Sequence, residues 1–406
     1  MRKITCAILA LLFMAMNNNS YSQEFEGGKL KVKVKVNKID LIKNANLDYN
    51  FKGIVKTGIN ELDNIFKNNE VYNFEPLFPT NKKFKSRHEE FGLHLWYEIE
   101  FKEKNSAITQ ICKSQLDQTN LFEITEYYYT KRLDVLEKET LDSKTEFNDP
   151  RFDEQWHYDN NGQTGGTAGS DISLKNAWSV ETGSDDVVVA IIDGGIDITH
   201  EDLTNALWIN TQEQSGTTGV DDDGNGYVDD IYGYNFGDNA GTLATHPHGT
   251  HVAGTIGAIN NNSIGVSGIA GGSETNGGVR LMSCQTFGEY NSDGFDVAFV
   301  YAADNGAVIA QNSWGYTSPG YVEQSVLDAI YYFIANAGYD AGGNPIGRRQ
   351  GGLVTFSAGN SDSDNEWYPG YYEPVFTVAA TNHNDQKSWY SNYGTWVDIS
   401  APGGET

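Results

Sequence analysis

The sequence predicts an α/β domain built on a parallel sheet with helices on both faces, preceded by a small α+β unit. Three observations carry this. Residues 187–192, VVVAII, and three later runs are largely apolar stretches, three of the four running into polar residues and glycine, as strands buried on both faces of a parallel sheet do. Residues 29–36, KLKVKVKV, alternate strictly, as a strand with one buried face does. Charge also changes sharply near Pro150: residues 1–150 carry 22 basic and 22 acidic side chains, whereas residues 151–406 carry 6 and 33. The whole net charge of −27 therefore belongs to the second part, and the shift marks a domain boundary.

In chain order, residues 1–22 read as a secretion signal. Arg2 and Lys3 form the positive start, Ile4–Met16 the apolar run, and Ser20 and Ser22 the small residues near a cleavage point at Gln23. The run is short for a membrane span, so an uncleaved anchor is the lesser alternative and an exported, soluble protein the expectation. Cys6 lies in this segment. Cys112 and Cys284 are isolated, so no disulfide framework is expected.

The unit at 23–147 contains two similar passages. The Lys29–Val36 strand, a helix with Ile59, Leu62 and Phe66 on one face, and a strand over Val71–Phe78 form the first. An alternating strand through Leu93–Phe101, a helix with Ile108, Ile111 and Leu116 inward, and a strand over Leu121–Tyr129 form the second. Two βαβ passages in about 100 residues predict a ferredoxin-like sandwich. The strand's lysines are expected to be solvated rather than to dock. A polar linker, LEKETLDSKTEFNDP, leads to Pro150.

From residue 148 onward, strands are expected at 187–192, 306–311, 353–356 and 375–380, with helices at 296–305 and 322–335. The first strand runs into Asp193-Gly194-Gly195, the second into Asn312-Ser313-Trp314-Gly315 and the third into Ala358-Gly359-Asn360. Ligands bind open α/β sheets at such strand ends, although a lone Asp193 serves equally well as a helix cap. Residues 246–254, HPHGTHVAG, admit either a three-histidine metal site or one proton-transfer base with two supporting histidines. No HExxH glutamate accompanies them, which disfavours the metal. The acidity disfavours nucleic acid and anionic membranes as partners.

Asp193 in DGGID, His248 in HGTHVAG and Asn360 in SAGN, in that order, resemble the subtilisin-like serine proteases (subtilases) over roughly residues 147–406. The resemblance implies a subtilisin-like sheet in which Asp193 orients His248, His248 acts as base and then acid, and Asn360 donates to the oxyanion. Ser313, Trp314 and Gly315 would pair with substrate backbone. Ala358 and Gly359, with Tyr368-Pro369-Gly370, would wall the primary pocket. His251 would support the helix that His248 caps.

The family's serine sits in a GTSxAxP motif, and no serine after Asn360 has that context. DISAPGGET at the end resembles the segment preceding the nucleophile loop, so the serine is expected beyond Thr406. The implied protein is a secreted serine endopeptidase precursor with protein or peptide substrates. The rival is a non-catalytic peptide-binding protein that keeps the groove. A monomer is expected.

Asp221, Asp223 and Asn225 alternate ahead of Gly226, like the opening of an EF-hand loop, with Asp229 and Asp230 offering further oxygens; Tyr232 replaces the closing glutamate. Calcium is expected here, with a plain Asx-turn loop as the alternative. A second calcium site is implied by the resemblance alone, from the side chains of Asp149, Asp202 and Asn262 and the carbonyls of Ile259, Ile264 and Val266. The resemblance also makes residues 23–147 a propeptide, cleaved between Thr130 and Asn148, with an independent accessory module as the alternative.

Overall fold

The computed structural model describes residues 24–45, 47–49, 53–133, 148–273, 277–289 and 291–404. The expected secretion signal and nearly all of the linker lie outside them.

In the N-terminal unit, β1 (Phe25–Val34), α1 (Asn60–Asn68), β2 (Val71–Pro76), β3 (Trp96–Phe101), α2 (Ser106–Asp117) and β4 (Phe122–Tyr129) follow in sequence. The sheet order is β2-β3-β1-β4 with every neighbour antiparallel, the ferredoxin-like arrangement that the two βαβ passages predict. Leu30, Val32 and Val34 of β1 pack with Leu62 and Phe66 of α1 and Cys112 and Leu116 of α2. One expectation slips by a position: α2 turns Thr109, Cys112 and Leu116 inward and leaves Ile111 55% exposed. Thr109 accounts for this, because its hydroxyl accepts the Gly28 N–H (2.9 Å) and donates to the Asn105 carbonyl (2.9 Å), tying that stripe to β1. A further short strand, β5 (Lys131–Leu133), leaves this sheet for the other unit.

The C-terminal unit is built on β6 (Val188–Asp193), β7 (Gly233–Asn235), β8 (Arg280–Gln285), β9 (Ala307–Asn312), β11 (Leu353–Ser357), β12 (Phe376–Thr381) and β13 (Ile399–Pro402). Their order, β13-β12-β11-β9-β6-β8-β7, is parallel throughout. Between β9 and β11 lies β10 (Trp314–Tyr316), outside this sheet. The main helices are α3 (Pro247–Gly257), α4 (Val297–Asp304) and α5 (Gln324–Asn336). β6 shows why its run is apolar without a break. Ala190 and Ile192 join the core under α4 and α5, while Val189 and Ile191 join the opposite core with Ala253 of α3. β8 escaped the sequence reading because Arg280, Ser283 and Gln285 interrupt its apolar pattern. Ser283 and Gln285 are nonetheless buried, and the Gln285 amide oxygen accepts the Ala244 N–H at 2.9 Å.

The lysine face of β1 is docked, not solvated. Lys29 reaches Asp293 (2.9 Å), Lys31 reaches Asp296 (2.7 Å) and Glu323 (2.8 Å), and Lys33 reaches Asp328 (2.7 Å). Alternate side chains on one strand thus each meet acid from the N-terminal ends of α4 and α5 or from the turn before α4. Lys31 is 2% exposed and sits over the Tyr128 ring at 4.4 Å. Lys131 takes the other Glu323 oxygen at 2.7 Å, and Glu126 of β4 accepts the Gln324 N–H at 2.9 Å, capping α5 across the interface. Four lysines of the neutral unit thus meet carboxylates of the acidic one.

Candidate active site

Three glycines let the start of α3 rest on the end of β6. A Cβ at Gly249 would lie 2.3 Å from the Gly195 carbonyl oxygen, and one at Gly194 would lie 2.6 Å from Cγ of His246. Gly195 itself has φ near +105°, in the left-handed region. Thr250 adds a tie, accepting the Asp197 N–H at 2.9 Å and donating to the His246 carbonyl at 2.8 Å.

This contact brings His248 Nδ1 to 2.7 and 2.9 Å from the two carboxylate oxygens of Asp193. Asp193 is 1% exposed, and its Oδ1 also accepts the Gly194 N–H at 2.6 Å. A buried carboxylate on Nδ1 fixes that nitrogen as the protonated one, so Nε2 is the nitrogen with a lone pair to accept a proton.

The three histidines do not share a centre. His246 is the N-cap of α3, its Nδ1 accepting the His248 backbone N–H at 3.2 Å. His248, expected as the cap, stands inside the first turn instead, because Pro247 opens the helix. His251 is exposed on the helix. Among the described residues, groups of three or more candidate metal ligands occur only elsewhere.

β11 ends at Ser357 and delivers Ala358, Gly359 and half-buried Asn360 to the sheet's carboxyl edge. This turn is held by a residue that the sequence did not single out. Asn392, fully buried, donates its amide to the Ala358 carbonyl (2.7 Å) and accepts N–H groups from Ser361 (2.9 Å) and Ser363 (3.2 Å). Its own N–H donates to the Gly359 carbonyl at 2.9 Å. Gly359 is required here: its φ is +94°, and a Cβ would meet the Asn392 amide at 2.7 Å.

β10 carries Trp314 and Gly315, with Ser313 just before it, and β5 pairs with it antiparallel: Trp314 opposite Leu133, Gly315 opposite Arg132, Tyr316 opposite Lys131. Trp314 is anchored below by its indole N–H on the Asn312 side chain, 3.0 Å. A pocket opens beside the pair, walled by Gly315, Ala358, Gly359, Trp367, Tyr368 and Gly370. Arg132 enters it, with its guanidinium 5.6 Å from the Trp367 ring and 2.8 Å from the Ser361 hydroxyl.

Two acidic groupings have the chemistry of cation sites. The oxygens of Glu213, Asp221 and Asp223 lie within 4.8 Å of one another. Glu213 lies outside the acidic run that the sequence suggested. Asp229 faces the Gly219 N–H (2.9 Å) instead, and Asn225 donates to Asp223 (3.2 Å) and to buried Asp230 (3.0 Å). Burial pushes the Asp230 carboxyl up to about 7. In the second grouping, Asp149 (2% exposed) accepts the Asn262 N–H at 3.0 Å, and Asp202 (1%) accepts the Asn262 amide at 2.7 Å and the Val266 N–H at 2.9 Å. Burial, with Asp149 nearby, raises the Asp202 carboxyl. The same loop brings Ile264 onto the Asn262 side-chain oxygen (2.8 Å), and Ile259 donates to the Asp202 carbonyl (3.1 Å). Two buried carboxylates with no lysine or arginine paired to them among the described residues have the donor chemistry for a hard cation, and here the loop's N–H groups satisfy them instead.

A sequence profile described as the subtilase family matches residues 184–406. The thermophilic serine proteinase of Bacillus sp. (strain AK1) is 32% identical over 228 residues, 56% of this chain and 46% of its own length. Thermitase of Thermoactinomyces vulgaris is 30% identical over 233 residues, 57% of this chain and 68% of its own. This chain thus spans about half the length of the first of these relatives. Fervidolysin from Fervidobacterium pennivorans shares the fold, with a TM-score of 0.54 at 18% identity over 94% of this chain and 48% of that one.

Proposed function

Because the chain belongs to the subtilase family, we propose that it is part of a secreted serine endopeptidase precursor that hydrolyses peptide bonds through an Asp-His-Ser triad. The observation that carries this reading is the bond of buried Asp193 to His248 Nδ1 at 2.7 Å. Asp193 holds the imidazole in one tautomer and stabilises it once protonated. His248 takes the nucleophile's proton at Nε2 and returns it to the leaving amine. Asn360 donates to the oxyanion. Losing one such donor costs on the order of 10²–10³ in rate, a magnitude taken from subtilisin and not from this chain. The nucleophile of this reading is a serine in a GTSxAxP context.

Residues 23–147 act as the propeptide, following a signal at 1–22 and preceding the catalytic domain at 148–406. The pairing of β5 with β10 supports this, since Lys131–Leu133 occupies the groove as an added strand. Ser313, Trp314 and Gly315 bind substrate backbone once that strand leaves, and Ala358 and Gly359 wall the pocket that now holds Arg132. Calcium would be held by Asp221, Asp223 and Glu213 with Asn225 adjoining, and by Asp149, Asp202 and Asn262 with the carbonyls of Ile259, Ile264 and Val266. When bound, it supplies countercharge to these loops. Among the described residues no helix is long and apolar enough to cross a membrane.

The test is peptide hydrolysis by the protein translated past Thr406, with residues 23–147 cleaved. Turnover that H248A and D193N each reduce by at least about 10³-fold supports the reading. A folded protein that binds peptide with no turnover supports the non-catalytic alternative.

A further inference from the structure

We propose that His246 is a positioning residue for the His248 base: as a neutral imidazole it caps α3 and seats it on the end of β6, and on protonation it loosens that seat. The inference rests on the reading of His248 as the base.

Two contacts place His246 between the partners of the Asp193–His248 pair. Its Nδ1 accepts the backbone N–H of His248 at 3.2 Å, so the base's own main chain is fixed by this ring. The ring also covers Gly194, the residue after Asp193, closely enough that a Cβ there would lie 2.6 Å from Cγ and 2.7 Å from Nδ1. One side chain therefore touches the strand end that carries the carboxylate and the helix start that carries the base.

The cap works in one protonation state only. Accepting at Nδ1 requires the proton to sit on Nε2 alone, because a doubly protonated ring has no lone pair to offer. Serine, threonine, aspartate and asparagine, the common caps, do not lose their acceptor in this way near neutral pH. A cation at this place also meets the positive end of the α3 dipole. The ionisable groups facing His246 are Asp193 from β6 and His248 from α3. Burial and His248 lower the His246 pKa from its ordinary 6.5, and Asp193 opposes them. At neutral pH the ring is neutral and the cap intact.

The experiment follows the His248 backbone amide by NMR in the 406-residue chain between pH 4.5 and 8, beside the ring protons of His246. The expected result is that the amide resonance moves with the His246 midpoint, below 6.5. In H246A the amide exchanges about 2- to 30-fold faster at pH 8, the span expected for a lost N-cap. H246N offers an acceptor that does not titrate, so it recovers most of that protection and removes the midpoint. An amide that ignores the His246 titration overturns the cap. In the longer protein carrying the serine, turnover of the parent should show an additional ionisation on its acid limb that H246N removes. A parent that turns over with a pH profile unchanged in both variants overturns the positioning role and leaves the protease reading intact. A parent without turnover removes the base's function, and the amide titration still decides the cap.

Discussion

Replacing Lys31 by methionine should loosen the N-terminal unit from its partner, and the structure sets the size of the effect. Lys31 Nζ lies between Asp296 and Glu323, whose side chains are 1% and 0% exposed. Breaking a buried ion pair by removing one partner costs about 3–5 kcal/mol, because the other charge stays buried. Glu323 keeps Lys131 at 2.7 Å, which places the loss near the lower bound. At about 1.4 kcal/mol per decade, about 3 kcal/mol is roughly a 10²-fold rise in the open population. The neighbouring Lys33–Asp328 pair is 17% and 21% exposed, so water still reaches it and screens the charge left behind. K33M is therefore the matched control, expected to change opening clearly less than K31M does. Hydrogen exchange reads this at the amides of Tyr129, which donates to Glu323, and Gln324, which donates to Glu126. Equal, small effects of K31M and K33M would refute the claim that the buried lysine dominates the interface.

Docking should also tighten with acidification. Burial, with Glu323 nearby and Lys31 opposing, pushes the Glu126 carboxyl up to about 7 from 4.5. The docked state then holds a proton that the undocked state lacks over that window, so protection at Gln324 should rise from pH 8 to 5, and E126Q should flatten the trend. Saturating calcium at about 100 times its Kd should add about 2.7 kcal/mol, or roughly 5–10 °C in melting temperature. Chelator should remove that gain, E213Q should weaken it, and calorimetry that detects no change counts against both acidic groupings. N392A leaves the Ala358 carbonyl and the Ser361 and Ser363 N–H groups without their partner. The Ala358 carbonyl is buried, and an orphan of that kind costs about 1–3 kcal/mol, so exchange at the half-buried Ser361 and Ser363 amides should accelerate by about 5- to 150-fold.

How legible each feature was depended on whether its cause is local. The β6 and β9 strands follow from side chains that must be apolar on both faces, and that pattern stands in the sequence. Asp193 and His248 could be paired because DGGID, HGTHVAG and SAGN together resemble the subtilase motifs; that glycines let α3 rest on β6 shows only in the fold. The docking of the lysines was not legible. Alternation says which face of β1 avoids its own core, while the acids that meet Lys31 lie 265 and 292 residues away. Glu213 was hidden because it lies outside the acidic run, and Asn392 because it holds its loop from 32 positions beyond Asn360. Ile111 misled the assignment of the α2 face, since a threonine hydroxyl bonded to β1 outweighed an isoleucine for the inward place. His246 was passed over because it lies outside the HGTHVAG match and the cap was expected at His248, whereas Pro247 opens the helix one residue earlier.

The most direct test of the central claim is covalent labelling with a fluorophosphonate on the protein read past Thr406, with its N-terminal unit cleaved. The account predicts one adduct, on a serine in a GTSxAxP context, lost in H248A and slowed when intact residues 23–147 hold β5 against β10. A folded protein that takes no label, or labels equally without His248, contradicts it.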